Sequence, residues 1–551
     1  MRFIKSKRIL LSFLVFIFFC GFFPGNDDVY FEVSRNIDLF GKVYKEIAFN
    51  YVDEINPEKF MQAGIAGMLK TLDPYTIFID ANRKDEIDLI TNGKYGGVGI
   101  SIGVRGDNVT IIEILDGYSA QKQGLRIGDV LIEAGGTTVS SQNVDDVSSL
   151  VKGEPGTMVK LKIVRNENKD TIDFNLVREE VIIKNLTFYG FYPDNSNNAY
   201  IKLSNFSRSA GDELKKALKE LRSQREIKSV VLDLRGNPGG LLDVAVDICD
   251  KFLEKELLIV STKGRDYASE KKYFSMQEPM FGDGKLAVLV NEGSASASEI
   301  LAGAIQDHDR GIILGIKTFG KGLVQTVTPL NFNTSLKITT AKYYTPSGRC
   351  IQKIDYSKKN KVFTGEDSIV TSSFLTDNKR TVYSGGGITP DSIVNFEIEG
   401  EITRDLLAKG LFFQFADHYY YAHPTVKFEE LNNEKLYNEF KEYLTEQKYT
   451  YHSGSEHELE SLINDVEKKK LGDNLSSDLK RIKIQFEKLG INELSTFKAE
   501  VIRAIREEIA ARYLGNEGRI KETLSNDKQF KAALDVISSS RYEKLLSAKK
   551  Y

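Results

Sequence analysis

Two apolar runs, each ending in a turn of small residues, constrain this chain more than any other feature. The first is Val230-Val231-Leu232-Asp233-Leu234-Arg235, which runs into Gly236-Asn237-Pro238-Gly239-Gly240. The second, Leu286-Ala287-Val288-Leu289-Val290, runs into Asn291-Glu292-Gly293-Ser294-Ala295-Ser296-Ala297-Ser298-Glu299-Ile300, and Ala302-Gly303-Ala304-Ile305 follows with helical spacing. An apolar-rich run such as the first is the type expected for a strand in a sheet covered on both faces. The second reads as buried strand, tight turn and helix start. A serine on such a turn sits at a helix N-terminus, where free backbone N–H groups favour negative charge. That suits a nucleophile that must generate an oxyanion, and it suits a capping serine equally well. The glycines of the first turn let a backbone approach a ligand and leave N–H groups unpaired. Together the two turns read as the edges of one site.

At 551 residues the chain holds about three or four domains. Its formal charge of −3 gives no basic field, so nucleic acid is not an expected partner. The cysteines, Cys20, Cys249 and Cys350, offer neither a disulfide framework nor metal spacing, and no cofactor is expected. Arg2, Lys5, Lys7 and Arg8 precede an apolar segment over residues 9–23, the pattern of a secretory signal. No clear cleavage site follows, and Phe19 before Cys20 spoils a lipoprotein box. Residues 1–25 are therefore expected to be a signal peptide or an N-terminal anchor, the only membrane contact of a body exported to the periplasm or cell envelope.

Residues 26–92 read as a helical domain. Ile37, Phe40, Val43, Tyr44 and Ile47 share one face, Asn56-Pro57-Glu58 starts a second helix, and residues 72–76 form a turn. From Tyr95 the period changes to that of strands. The loop Gly97-Val98-Gly99-Ile100 opens a run of alternating segments, interrupted by a short amphipathic helix carrying Val144, Val147, Leu150 and Val151. A dinucleotide reading fails because Ile102 stands where the third glycine belongs. Residues 93–182 resemble a PDZ domain. The resemblance implies that the glycine loop binds the carboxylate of a protein C-terminus, and that the tail adds as a strand beside the helix beginning at Val144. Val144, Val147 and Val151 would suit an apolar last residue.

A serine nucleophile needs a base. His308 lies twelve residues after Ser296, three turns along the same helix and out of reach, and the other four histidines belong to the charged C-terminal region. Lysine serves if burial lowers its pKa, and Lys321, between glycines and near Phe319, Leu323 and Val324, has an apolar setting. The order of PDZ-like segment, Leu232–Gly240 turn, serine turn, Phe319-Gly320-Lys321-Gly322 with Val324-Gln325, and Tyr344-Thr345-Pro346-Ser347-Gly348-Arg349 resembles the carboxy-terminal processing (tail-specific) serine proteases, peptidase family S41. The resemblance covers about residues 30–395. It implies an α/β multidomain protein with a crotonase/ClpP-like protease core over residues 183–398. It makes Ser296 the nucleophile, Lys321 the base and Gln325 the residue that orients the lysine. It places the oxyanion on the N–H groups of Ala297 and Gly239, gives Asp307 structural support, and leaves Ser294 and Ser298 as turn and helix-start residues.

Residues 399–551 are rich in lysine and glutamate, with helical periodicity over residues 431–444, 457–470, 475–489 and 496–513, and Gly490 and Gly515 as stops. The run His418-Tyr419-Tyr420-Tyr421-Ala422-His423 reads as an aromatic packing edge. This extension is outside what the family core needs; contact with an adaptor or a second copy is left open. Two rival readings stand beside the protease: a non-catalytic PDZ scaffold or chaperone, and a crotonase-like hydrolase of acyl thioesters.

Overall fold

The computed structural model describes residues 27–80, 92–105, 107–165, 170–265, 270–354, 356, 371–396, 399–469 and 472–547; the expected signal segment lies outside them. Among the described residues no helix is long and apolar enough to cross a membrane.

The N-terminal segment is helical, as the periodicity predicts: α1 (Asp27–Asn50) and α2 (Pro57–Leu69), the latter capped by the Asn56 side chain, which accepts from the Lys59 N–H. The apolar face of α1 is not buried. Ile37, Phe40 and Val43 are exposed, and its packing on α2 rests on the Tyr44–Phe60 ring stack. A short strand follows that periodicity did not show, β1 (Ile77–Ile79).

The PDZ domain follows. It comprises β2 (Lys94–Gly97), β3 (Ile100–Arg105), β4 (Asn108–Ile114), α3 (Ser119–Lys122), β5 (Val130–Ala134), β6 (Thr137–Thr138), α4 (Val144–Val151), β7 (Met158–Arg165), β8 (Asp170–Val177) and β9 (Glu179–Ile182). The sheet order is β3-β4-β5-β7-β8 with β6 on β5, while β2 and β9 pair apart as a ribbon. Alternate residues of β4, β5 and β7 meet α4 in a core around Ile111, Leu131, Val147, Leu161 and Ile163.

The protease core comprises β10 (Leu186–Phe191), β11 (Asn198–Leu203), α5 (Ala210–Gln224), β12 (Ser229–Asp233), α6 (Leu242–Cys249), β13 (Leu258–Gly264), β14 (Lys271–Phe274), β15 (Lys285–Val290), α7 (Ala297–Asp307), β16 (Ile312–Gly315), β17 (Leu323–Pro329), β18 (Ser335–Tyr344), β19 (Ser373–Leu375), β20 (Thr381–Tyr383) and β21 (Ser392–Ile393). Its main sheet has the order β10-β11-β12-β15-β16-β21, parallel from β11 onwards. The strand predicted to be doubly covered, β12, and the strand predicted to be buried, β15, lie side by side at its centre, with Asp233 opposite Leu289. Helices α5, α6 and α7 cover one face through Leu214, Leu221, Ile248 and Leu301. A second sheet is built on β18, which pairs with β17, with β13 and, through Lys337 opposite Ile77, with β1.

The C-terminal helices are α8 (Glu401–Ala408), α9 (Leu411–Ala422), α10 (Asn433–Glu446), α11 (Gly454–Lys468), α12 (Asp473–Thr496), α13 (Lys498–Asn526), α14 (Lys528–Ser538) and α15 (Arg541–Leu546). The expected stop at Gly490 is not observed: α12 runs through it to Thr496. One glycine costs only about 1 kcal/mol in a helix interior, which a long helix absorbs. Gly515 does break the helical dihedrals, at φ +68°, and kinks α13. The last helices cover the other face of the main sheet. Phe530, Ala533, Val536, Ile537 and Tyr542 pack against Tyr200, Val231, Ala287, Leu289 and Leu314. The extension is therefore part of the core that the sequence assigned to residues 183–398. Helix α9 also meets the PDZ domain, where the Phe413 ring lies between the guanidinium groups of Arg105 and Arg512.

Candidate active site

Because β12 and β15 are neighbours, the turns at their C-terminal ends come together, and buried polar groups join them. The Asn237 carbonyl accepts from the N–H of Ala295 (3.0 Å) and the hydroxyl of Ser298 (2.9 Å). The Ser294 hydroxyl donates to the Leu234 carbonyl at 2.8 Å. Asn291 Oδ1 accepts from the N–H groups of Gly236 and Gly293. Of the three serines, Ser294 and Ser298 are buried and their hydroxyls are committed to main-chain carbonyls, while Ser296 alone is partly exposed. Ser296 precedes α7 with φ +55°, a region that serine enters only when its surroundings hold it there. Ala297, the first residue of α7, has no intrahelical acceptor for its N–H.

Gly239 meets this turn as expected. At φ +98° it lies so close that a Cβ there would stand 2.9 Å from Ser296 Cβ and 2.8 Å from the Ala297 nitrogen. Its N–H, however, donates to Asn237 Oδ1 at 2.9 Å. The expectation of a free donor at Gly239 is corrected: the Asn237 side chain, which also donates to the Leu203 carbonyl, folds back and occupies it.

Lys321 is brought to the same place by two residues that motif reading passed over. Glu299, fully buried, accepts from the N–H of Ser296 (2.9 Å), the N–H of Lys321 (2.9 Å), the N–H of Gly320 (2.8 Å) and the hydroxyl of Thr318 (2.6 Å). Burial pushes its carboxyl up to about 7 against the pull of those donors. From the other side the Tyr343 hydroxyl donates to the carbonyls of Ser296 and Lys321. The backbones of Ser296 and Lys321 are thus clamped between one carboxylate and one phenol. The Ser-x-x-Glu spacing of a capping box was the available signal for Glu299; nothing in sequence marks Tyr343.

The Lys321 ammonium lies 4.5 Å above the centre of the Tyr75 ring. Burial lowers it to about 8, and the charge of Lys337 acts in the same direction. The apolar setting expected from Phe319 is not what buries it, since Phe319 is 47% exposed. Among the described residues Lys321 has no ion pair, and no hydrogen bond joins it to the Ser296 hydroxyl. Among the described residues no hydrogen bond joins Gln325 to Lys321; Gln325 lies opposite Thr339, to whose hydroxyl its amide donates at 3.3 Å.

Asp307, at the far end of α7, pairs with the fully buried Arg349 at 2.7 Å and accepts from the Ser347 N–H. His308 is held there by Asp377 and the Leu258 carbonyl, about 18 Å from the serine turn by helix rise.

Comparison with known proteins now decides the family. The chain is 36% identical over 323 residues to the carboxy-terminal-processing protease of Bartonella bacilliformis, an overlap of 58% of this chain and 73% of that one. It is 30% identical over 323 residues to the carboxy-terminal processing protease CtpB of Bacillus subtilis, 58% and 67% of the two chains. The pattern of peptidase family S41 matches residues 197–358, and that of a PDZ domain residues 86–164. The chain belongs to the carboxy-terminal processing proteases of family S41. It is a protease, which closes the scaffold and thioesterase readings. This S41 protease also matches, over residues 402–537, the C-terminal helical domain of probable PDZ-proteases. Among solved structures it is similar to the photosystem II D1 C-terminal processing protease, at 26% identity over 66% of this chain and 94% of that one, with a TM-score of 0.35.

The PDZ domain of this S41 protease has a cleft of about 250 Å³ between β3 and α4. Val98, Ile100 and Ile102 line it on the strand side, with Ser148, Val151 and Lys152 on the helix side. The expectation for α4 is corrected here. Val147 is fully buried in the domain core, off the face that carries Ser148 and Val151, and Val144, one turn before Ser148 on that same face, is not among the residues that line the cleft.

Proposed function

We propose that this protein is a serine endopeptidase that uses Ser296 as nucleophile and Lys321 as general base. The observation that carries the reading is the double clamp of Glu299 and Tyr343, which holds the main chain of a partly exposed serine on a helix N-terminus to that of a partly buried, weakened lysine. Neutral Lys321 accepts the proton of Ser296 as Oγ forms a bond to a peptide carbonyl carbon, and the carbonyl electron pair moves onto its oxygen. The Ala297 N–H supports that oxyanion; Gly239 supplies the second N–H by exchanging Asn237 Oδ1 for it. The lysine returns the proton to the departing amine, and water, activated by the same lysine, hydrolyses the acyl-enzyme. Gln325, whose amide nitrogen donates to the Thr339 hydroxyl, would orient the lysine through its amide oxygen.

The PDZ cleft would take the C-terminal tail of a protein substrate as an added strand, with Val98, Ile100 and Val151 receiving apolar side chains and the loop Gly97-Val98-Gly99-Ile100 receiving the carboxylate. The basic-then-apolar N-terminus supports export to the periplasm or cell envelope, with substrates that are themselves exported.

The test is cleavage of a peptide with an apolar free C-terminus. Wild type should cut it, with kcat/KM rising through pH ~8 as Lys321 loses its proton. Ser296→Ala and Lys321→Ala should each abolish cleavage. Cleavage that survives both substitutions rejects the assignment.

A further inference from the structure

The proton that Lys321 takes must be accommodated as a partly buried positive charge; the charges of Glu299 and Asp73 favour it from a distance, but their oxygens are bonded to other donors. Asp73 accepts from the N–H groups of Tyr75 (2.8 Å) and Thr76 (2.9 Å) and from the Thr76 hydroxyl (3.1 Å). Glu299 is taken by its four donors. Lys337 on β18 brings a second positive charge. Tyr343 faces the main chain of Lys321, and Tyr356 packs edge-on against Tyr75 at 6.2 Å. What the ammonium does meet is the face of the Tyr75 ring, 4.5 Å away, and an aromatic face attracts a cation.

Tyr75 does not come from the protease core. It sits on the turn after α2, which Asp73 shapes, which the Thr76 hydroxyl fastens to β18 by accepting from the Thr339 N–H (3.2 Å), and which β1 extends as a strand on β18. The N-terminal helical segment thus places a half-buried aromatic ring under a lysine that belongs to the core.

We propose that Tyr75 is a positioning residue for Lys321: its ring face holds the lysine cation formed as Ser296 gives up its proton, so the N-terminal segment takes part in the reaction. The inference rests on Lys321 being the base. Loss of the ring face with its volume kept costs the cation about 2- to 30-fold in stability. Without the ring the charged form is disfavoured, so the lysine becomes a weaker base.

The experiment compares wild type, Tyr75→Phe and Tyr75→Leu in the full chain, with pH profiles of kcat and kcat/KM on the tailed peptide. Tyr75→Phe keeps the ring face and should stay within about twofold of wild type. Tyr75→Leu keeps the apolar wall and should lower plateau kcat by about 2- to 30-fold and move the acid limb to lower pH by roughly 0.4–1.5 units. Should the leucine variant fail to fold, pentafluorophenylalanine at position 75, with the shape of Phe and the opposite ring polarity, should reproduce its effect. An acid limb that stays fixed or rises overturns the proposal, as does a Phe variant as impaired as the Leu variant. Ser296→Ala and Lys321→Ala are run alongside. If they retain cleavage, the dyad reading is what fails; if they are inactive and the Tyr75 series is flat, only the role of Tyr75 fails.

Discussion

Lys321 is kept weak by its surroundings, and that has a consequence for stability as well as for rate. Its folded value of about 8 lies below the ordinary 10.5. The folded state therefore binds fewer protons than the unfolded chain between those values. Folding carries a penalty that is complete below pH ~8 and gone above ~10.5. Lys321→Met, which keeps the volume and removes the charge, should gain on the order of 1–3 kcal/mol at pH 7 while losing activity. Urea titrations at pH 7 and pH 10.5 check this: equal midpoint shifts at the two pH values would mean that the charge is not the cause. Burial penalises the Glu299 charge as well, but four donors depend on its carboxylate oxygens. Glu299→Gln puts an amide N–H among donors, so it should cost about 2–4 kcal/mol and abolish cleavage, read by thermal melting beside a peptide assay.

At the level of elements, the site is a product of strand adjacency. The turns after β12 and β15 meet because those strands pair in parallel, and this much was legible: continuous apolar runs ending in glycine and serine turns can hardly do anything else. The reading of Ser294 and Ser298 as turn and helix-start residues agrees with their hydrogen bonds, since both hydroxyls serve main-chain carbonyls. The groups gathered round the lysine were not, apart from the capping-box spacing that marks Glu299. Tyr75, Tyr343 and Glu299 come from three separate elements, and only the pairing of β1 with β18 and the fold of β18 against α7 put them together. Periodicity reports which face of an element is buried, not which partner buries it. Val147 shows this limit: it reads as apolar and helical, and whether it faces cleft or core depends on the sheet beneath it. Asn237 is where the turn geometry can be tested. Its side chain bonds the Leu203 carbonyl and the Gly239 N–H, so Asn237→Ala should cost about 1–3 kcal/mol and reduce kcat more than it raises KM. A change confined to KM would place Asn237 in substrate binding instead.

For the whole molecule, the C-terminal helices are the covering that the central sheet requires. A parallel sheet with one bare apolar face is not stable in water, and here Phe530, Val536, Ile537 and Tyr542 close it from more than two hundred residues beyond β16. The same helices reach the turn after β12 from behind. Arg235, next to Gly236, pairs with Asp233 in the core and with Asp527 at the start of α14, both at 2.6 Å. A chain ending at residue 398 keeps every motif of the site and loses this support. It should therefore be insoluble or unfolded and inactive, although motif reading alone would call it a complete protease. Phe530→Ala tests the point without truncation. The ring is 1% exposed, so its removal should cost about 3–5 kcal/mol and lower the unfolding midpoint of the protease core as well as that of the C-terminal helices. Hydrogen exchange on β12, β15 and β16 is the discriminating measurement. Faster exchange there in Phe530→Ala shows one cooperative unit, whereas unchanged exchange would mean that the core folds independently of the helices that cover it.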